Sequence, residues 1–313
     1  MKSSKPVSER VIEGFIHASA AVAIVALVMI FVFIGKEALP VLTSPAVRKE
    51  ASVAKLFLPQ SPGAGQPAKF SWQPVSKVPK YSLWPLFVGT IKATLVAMIF
   101  AIPLALGAAL FTSEFSPDWL KEIVKPVIEL LAAIPSVVLG FLALIVTASA
   151  VQRYFGLDFR LNTINTGIAL ALAVVPIVYT VSEDALSAVP TAFRQGSIAL
   201  GATPWQTAWR VVVPAAFPGL FAACVLGFGR AIGETMIVLM ASGNAAVLSW
   251  NPGDPFRSLS ATVAAELGEV VKGSPHYHVL FFIGVLLFIF TFLINFAGQQ
   301  FVGRLKEKLT GAR

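Results

Sequence analysis

DALSAVPTAFRQGSIALGATPWQTAWRVVVP, residues 184–214, is the stretch on which the interpretation of this chain turns. It lies between two apolar runs and is about 30 residues long, far more than a turn between neighbouring helices needs. Its apolar content is too high for a disordered linker. Pro190 can open a short helix through Arg194 and Ile198, and Gly201 can supply the positive φ that ends it. Thr203 then caps a second helix with Pro204 at its first position and Gln206 at its third, a T-x-x-Q capping box. The expectation is a helix, a tight turn and a helix, a structured projection presented to something else.

The flanking runs say what it projects from. The 313 residues are 56% hydrophobic and 13% charged, with a mean hydropathy of +0.78. A soluble domain is typically about half apolar and about 25% charged. A bilayer core takes roughly 20 apolar residues of helix, and six stretches are candidates: Gly14 to Gly35, Ala93 to Ser113, Leu130 to Gln152, Leu161 to Ser182, about Val211 to Val247, and Pro275 to Val302. Only the fifth is interrupted, by Arg230 and Glu234. Continuous runs without period-2 alternation predict helices rather than a barrel. The small residues Ala18, Ser19, Ala20 and Ala21 stand at the start of the first run, where a leader's cleavage site would be useless, so a retained span is expected.

Charge sets the expected orientation. Lys2, Lys5 and Arg10 precede the first span, and Arg304, Lys306, Lys308 and Arg313 follow the last, which predicts both termini on the cytoplasmic side. The loop at 36–82 also carries seven Lys/Arg but is long enough for its charge to weigh less. The expected organisation is an inner N-terminus and first span at 1–35, an external loop at 36–82, a core at 83–303 with its inner loop at 184–213, and a tail at 304–313. The external loop holds Pro40, Pro45, Pro59, Pro62, Pro67, Pro74, Pro79 and a Gly63-Ala64-Gly65 break, which predicts little regular structure. It reads either as a tolerated insertion or as a docking surface. Ser116-Pro117-Asp118-Trp119 is expected to start a short helix along the membrane surface, with Ser116 as cap and Leu120, Ile123 and Val124 on its apolar side.

Composition also excludes. One cysteine cannot form an internal disulfide, and Cys224 reads as a packing residue. Three histidines leave little for a metal cage: His276 and His278 form His-x-His without a third ligand. A net charge of +8 without a dense basic block does not suggest nucleic acid; it suits membrane loops or an anionic cargo equally. No nucleophile, base and orienting acid occur together, so no enzyme is expected. No G-x-x-x-x-G-K-[ST] loop is present, since Gly35-Lys36 is followed by Glu37 and lacks the upstream glycine. ATP hydrolysis, if it drives this protein, belongs to another subunit.

The stretch from Arg194 to Gly219 resembles the cytoplasmic loop of binding-protein-dependent ABC importer permeases, written E-A-A, three residues, Gly, nine residues, Ile-x-Leu-Pro. Gln195-Gly196-Ser197 occupy the E-A-A places, Gly201 is the glycine, and Val211, Val213 and Pro214 close the pattern at the same spacing. Gln195 replaces the family's Glu and removes a charge. Two more stretches, Glu129 to Gly140 and Gly229 to Met236, resemble permeases of the bacterial phosphate-specific transport system. Met236 with Ser242-Gly243-Asn244, and the external Ala265-Glu266-Leu267-Gly268-Glu269, is similar to its C-type subunit. The resemblance implies an all-α, six-span MetI-like permease in a bacterial inner membrane, paired as a heterodimer with an A-type permease. It further implies a dimeric cytoplasmic ATPase, an extracytoplasmic phosphate-binding protein, and inorganic phosphate as cargo. Gln195, Gly196, Ser197, Gly201, Ala202, Thr203 and Pro204 would then dock on the ATPase, which uses ATP and Mg²⁺, with no cofactor held by this chain.

The residues point to a polar pathway on their own. An Arg at a helix centre costs about 2.5 to 3.5 kcal/mol on insertion scales, so Arg230 is expected to face the bundle or a cavity and be paired. Glu234 at i+4 would share its helix face. A guanidinium fork matches a tetrahedral oxyanion and stays charged; the alternative is a structural ion pair. Ser136 and Thr235 are further pathway candidates. Gly227, Gly229 and Gly233 read as packing residues or a flexible point, with Gly229 and Gly233 as G-x-x-x-G. Pro135 and Pro176 are expected to kink the third and fourth spans. Lys92, several residues into the second span, can snorkel outward, with attraction of anions as its sharper reading. Alternatives to a phosphate importer are a permease for another oxyanion, a secondary carrier, which needs no structured inner loop, and a membrane sensor.

Overall fold

Inside hydrocarbon every backbone N–H and C=O must be satisfied within the chain, so long apolar runs become helix. The computed structural model describes residues 7–60 and 68–310. The Gly63-Ala64-Gly65 break, Pro62, Pro67, Lys2, Lys5 and Arg313 lie outside them. Six helices are long and apolar enough to cross a membrane: Val11–Thr43, Trp84–Phe115, Ser136–Phe155, Thr163–Ser187, Pro204–Gly233 and Pro275–Leu305.

The first of these, α1 (Val7–Ala38), is apolar all round and lies at the periphery. It rests on the last helix through Phe31 against Phe288 (4.4 Å between ring centroids) and Phe33 against Phe281 (5.7 Å). Next come α2 (Pro40–Thr43), α3 (Pro45–Ala51), α4 (Val53–Phe57) and an antiparallel hairpin of β1 (Trp72–Gln73) and β2 (Lys80–Tyr81). The described part of the 36–82 loop is therefore folded, against expectation. Pro40 and Pro45 occupy first-turn positions, where the missing N–H costs nothing, so they start helices rather than prevent them. Val41, Val47, Ala51, Leu56, Trp72 and Tyr81 are buried together with Leu259, Val279, Leu280 and Ile283.

The centre is built on α5 (Trp84–Leu110) and α9 (Thr163–Ser187). Ala93, Ala97, Ala101, Ala105 and Ala109 recur every fourth residue along α5 and are almost wholly buried, a small-residue stripe that lets backbones approach closely. Gly167 of α9 sits so near Val96 that an added Cβ would lie 2.4 Å from its Cγ1. Pro103 and Pro176 lie inside these two helices. The residues after α5, Phe111–Phe115, form a π-helical turn, and Ser116 ends it. Ser116 is thus not a helix cap: Pro117 occupies the N-cap of α6 (Asp118–Ala133), with no side chain capping it. α6 is amphipathic on two sides, with Val124 and Ile128 packed inward and Trp119, Ile123, Val127 and Leu130 exposed.

The third span starts later than expected. Leu130–Ala133 belong to α6, and Ile134 is extended because the residue before a proline is pushed out of helical geometry. Pro135 is the N-cap of α7 (Ser136–Leu142), not an interior kink. The helix continues through a π turn, Ala143–Thr147, into α8 (Ala148–Phe155). Beyond α9 come α10 (Thr191–Ala199), α11 (Pro204–Thr207), a third π turn (Ala208–Val212) and α12 (Val213–Gly233). Then follow α13 (Met236–Ala241), α14 (Leu259–Glu266) and α15 (Pro275–Thr310). The fifth apolar run therefore does not extend to Val247: residues 243–258 are irregular and fold back over Lys92. Lys92 is buried rather than snorkelling; it donates to the Asn251 carbonyl (3.0 Å) and lies over the Phe256 ring.

Candidate functional site

Two places carry the polar chemistry, the hairpin after α9 and the broken fifth helix. In the hairpin, Pro190 is the N-cap of α10, and Gly201 has φ +86°, a conformation that favours glycine. Thr203 Oγ1 accepts from the Gln206 N–H (3.3 Å), and the Thr203 N–H donates to Gln206 Oε1 (2.9 Å), so the capping box is complete. Ser197 Oγ and Thr207 Oγ1 lie 2.9 Å apart and tie the two limbs. The linker between α9 and α11 is shorter than the 31 residues quoted above, because α9 runs on to Ser187 and α11 is continuous with the fifth span.

Gln195, Gly196, Gly201, Thr203 and Pro204 are exposed, and Ser197 and Ala202 are half-buried. Between the limbs is a groove of about 470 Å³ lined by residues that include Phe193, Gly196, Leu200, Gln206 and Arg210. Phe193, Ile198, Leu200, Trp205 and Trp209 are all exposed, Leu200 at 91%. Large apolar side chains left open side by side on a capped hairpin have the character of an interaction surface.

Sequence spacing missed what holds the hairpin to the spans. Arg194 Nε and Nη2 donate to Glu114 Oε2 (3.0 Å) and Oε1 (2.7 Å). Nearby, Lys125 of α6 donates to Glu183 (2.8 Å) and Asp184 (3.1 Å) at the end of α9, which raises its pKa further above the ordinary lysine value. Charges flanking apolar runs had served only to mark where spans end, and nothing local says which distant charge each one meets.

At the other site, α12 ends at Gly233, and Glu234 is extended (φ −66°, ψ 132°). The expected i+4 pairing on one helix face is therefore wrong. The Glu234 carboxylate instead accepts from the Thr235 N–H (3.2 Å), its carbonyl accepts from Ser260 Oγ (2.9 Å), and Thr235 Oγ1 donates to the Gly233 carbonyl (3.2 Å). Arg230 is exposed at the end of α12, and among the described residues it has no hydrogen-bond or ion-pair partner. The pairing of Arg230 expected from the sequence is not found among the described residues.

The breaks at Ile134-Pro135 and Glu234-Thr235 precede two short helices that pack together. A Cβ on Gly140 of α7 would lie 3.1 Å from the Met236 carbonyl and 3.2 Å from Ile237 Cα of α13. Ser136, half-buried, opens α7 at the first break. Interrupted helices of this kind expose backbone polar groups at membrane depth, which hydrocarbon tolerates only beside protein or a water-filled cavity.

The glycines divide by face. A Cβ on Gly227 would lie 2.4 Å from Val178 Cγ2 of α9, and one on Gly219 equally close to Ala185 Cβ. With Ala223 and Ala231 buried between and beyond, the small-residue stripe runs 219, 223, 227, 231. Gly229 faces the Asn295 side chain of α15, and Gly233 meets nothing within 4 Å, so Gly229 and Gly233 do not form a shared packing face in this chain. His276 Nε2 lies 2.9 Å from Glu266 Oε2 and His278 Nδ1 2.7 Å from the Glu37 carbonyl; among the described residues no His/Cys/Asp/Glu group could hold a metal.

Residues 101–309 match the family described as binding-protein-dependent transport system inner membrane component. A probable ABC transporter permease of Bacillus subtilis, YqgH, is 37% identical over 71% of this chain and 72% of its own length. The phosphate transport system permease protein PstC of Xylella fastidiosa (strain 9a5c) is 31% identical over 76% of this chain and 78% of its own, and PstC 1 of Mycobacterium tuberculosis is 34% identical over 72% and 74%. Among solved structures, an inward-facing MetNI methionine ABC transporter superposes with a TM-score of 0.55 at 23% identity, covering 69% of this chain and 93% of that one. A bacterial alginate ABC transporter, in complex with an alginate pentasaccharide-bound periplasmic protein, gives 0.60 at 14% identity over 96% and 98%. Those two likenesses concern the fold alone. With six membrane-length helices and the family's pattern spanning two thirds of its length, this chain belongs to the binding-protein-dependent transport-system inner membrane components and is an ABC transporter permease of the MetI-like fold.

Proposed function

We propose that the chain is one permease subunit of an ATP-driven importer of inorganic phosphate. The observation that carries this reading is Arg230. A permanently charged fork on a membrane helix, beside a helix break and without a partner among the described residues, calls for an anion. The phosphate permeases among its relatives supply the cargo class. In this reading an A-type permease completes the pathway, and Arg230 faces the cavity between the two subunits. Glu234, Thr235 and Ser136 line the same polar zone, and Pro176, Gly227 and Gly229 belong to the packed scaffold behind it.

The exposed hairpin from Gln195 to Pro204 docks on a dimeric ATPase, which holds ATP and Mg²⁺; this chain holds no cofactor. Both termini lie on that cytoplasmic side, and an extracytoplasmic phosphate-binding protein docks on the folded cap at 36–60, 68–82 and 243–276. ATP binding draws the hairpins together and opens the cavity outward, phosphate moves onto Arg230, and hydrolysis returns the cavity inward. A secondary carrier would have no use for a capped hairpin bearing five exposed large apolar side chains.

The test is radiolabelled phosphate uptake in cells lacking their own importers, expressing this chain with its partners and an ATPase either active or disabled. Uptake that needs the active ATPase is expected. Uptake indifferent to it would overturn the importer, and transport of another oxyanion with none of phosphate would overturn the cargo.

A further inference from the structure

One guanidinium joins three elements that a coupling movement has to connect. Arg194 lies near the start of α10 and uses every nitrogen. Besides its fork onto Glu114, Nη2 donates to the Leu186 carbonyl (2.9 Å) and Nη1 to the Val189 carbonyl (2.5 Å). These carbonyls belong to the last turn of α9 and the residues just after it, and the Leu186 carbonyl also accepts from the Val189 N–H (3.2 Å). Glu114 lies in the π turn that closes the second span, with its side chain 8% exposed, and also accepts from Ser113 Oγ (3.0 Å). Its neighbour Phe115 packs on Trp205 of the other hairpin limb at 5.7 Å between ring centroids.

The other connections run through the fifth span, which packs on α9 at Gly219 and Gly227, and through the Phe115–Trp205 contact; the Arg194 fork is the polar grip of α10 itself on the second and fourth spans. Along the chain α10 is joined to α9 through residues 188–190 and to α11 through the Gly201 turn, and the Ser197–Thr207 hydrogen bond (2.9 Å) ties it to the other limb as well. The fifth span follows α11 directly, since the helix is continuous through the π turn at Ala208–Val212. The second and fourth spans form a tightly packed pair along the alanine stripe and have no such continuity with the hairpin.

Resting on the importer reading, we propose that Arg194 and Glu114 are the positioning pair that transmits movement of the docked hairpin to the second and fourth spans. Without the fork, α10 moves with the ATPase while the two spans stay behind, and nucleotide is hydrolysed without cargo being moved. Lysine cannot substitute, because an ammonium is a point charge and cannot grip the carboxylate bidentately while holding two carbonyls.

The experiment uses the whole complex in liposomes, with the loaded binding protein supplied outside. It reads phosphate moved per ATP hydrolysed for the wild type, Arg194→Ala, Arg194→Lys, Glu114→Gln and the double variant Glu114→Gln/Arg194→Ala, with assembly followed by co-purification. The wild type must first move phosphate at the expense of ATP; if it does not, the importer reading fails, and the positioning pair with it. With that satisfied, Arg194→Ala is expected to keep its ATPase while phosphate moved per ATP falls about tenfold. Arg194→Lys and Glu114→Gln should fall in the same direction, and the double variant no further than the single, since both remove one interaction. A merely structural role lowers transport and hydrolysis together and leaves their ratio unchanged, which would overturn the proposal. Should Arg194→Ala fail to assemble, the near-isosteric Glu114→Gln carries the test, and a wild-type ratio there refutes it.

Discussion

Replacing Arg230 by alanine separates cargo binding from folding more cleanly than any other change in this chain. Arg230 makes no hydrogen bond or ion pair within the described residues, so its removal breaks nothing the fold uses. It also relieves the cost of holding a guanidinium on a membrane helix, so complex yield and thermal stability should not fall. The loss appears in transport. Two charge-assisted bonds from the fork to an oxyanion, taken at the low end of about 1.5 kcal/mol each because the site is open to water, sum to about 3 kcal/mol. That is roughly a hundredfold in affinity or rate. Arg230→Lys keeps the charge but loses the fork, so it should fall between alanine and wild type. The assay is initial uptake across a range of phosphate concentrations, normalised to assembled complex. Wild-type uptake by Arg230→Ala would refute the reasoning and take Arg230 out of the pathway; failure to assemble would show that it pairs with a carboxylate of the second permease instead.

Gly201 adopts φ +86°, which proline, with its φ locked near −65°, cannot reach, so Gly201→Pro should rebuild the hairpin turn and uncouple ATP hydrolysis from uptake. Unchanged coupling would mean that the turn is not used. Gly227→Leu places its Cβ 2.4 Å from Val178 Cγ2, and overpacking of this kind costs about 1 to 3 kcal/mol, so a lower melting temperature of the detergent-solubilised complex is expected. In the cap that buries Trp72 and Tyr81, Glu266 accepts from Trp72 Nε1 (3.1 Å), His276 and Arg257. Burial pushes its pKa up, but these partners outweigh burial and hold it below the usual carboxylate range. Its contribution is therefore complete above the ordinary carboxylate pKa of about 4 and is lost as pH falls through the depressed folded value. Protease sensitivity of the cap should rise on acidification into that range, and Glu266→Gln should raise it already at neutral pH; a resistant variant would show that the carboxylate does not hold the cap.

The six spans were legible because a membrane helix announces itself by length and by absence of charge, which are properties of one segment at a time. The α10–α11 hairpin is legible for the same reason: Thr203 and Gln206 are three residues apart, and Gly201 acts on its own φ, so the sequence contains both partners of each local interaction. The described part of the 36–82 segment is not legible in the sequence because proline can either prevent a helix or begin one. The distinction depends on whether Val41, Val47 and Leu56 find something to pack against, and α14 and α15 supply it from more than 200 residues further on. The fifth span was misjudged at its end for a related reason. Nothing in Gly233-Glu234-Thr235-Met236 forbids continued helix, and the Glu234 carbonyl is held outside it by Ser260, 26 residues away.

Sequence alone thus determined the membrane class, the number of spans, the family's loop pattern and the chemistry available in Arg230. Tertiary structure alone decided that Arg230 has no partner among the described residues, that Gly227 and Gly229 face different helices, and that Arg194 reaches Glu114 across 80 residues of chain. The physical reason is reach. Helix formation, capping and turn geometry act over a few neighbouring residues, whereas a guanidinium finds its carboxylate only after close packing of alanine- and glycine-lined helices has fixed which span ends lie side by side.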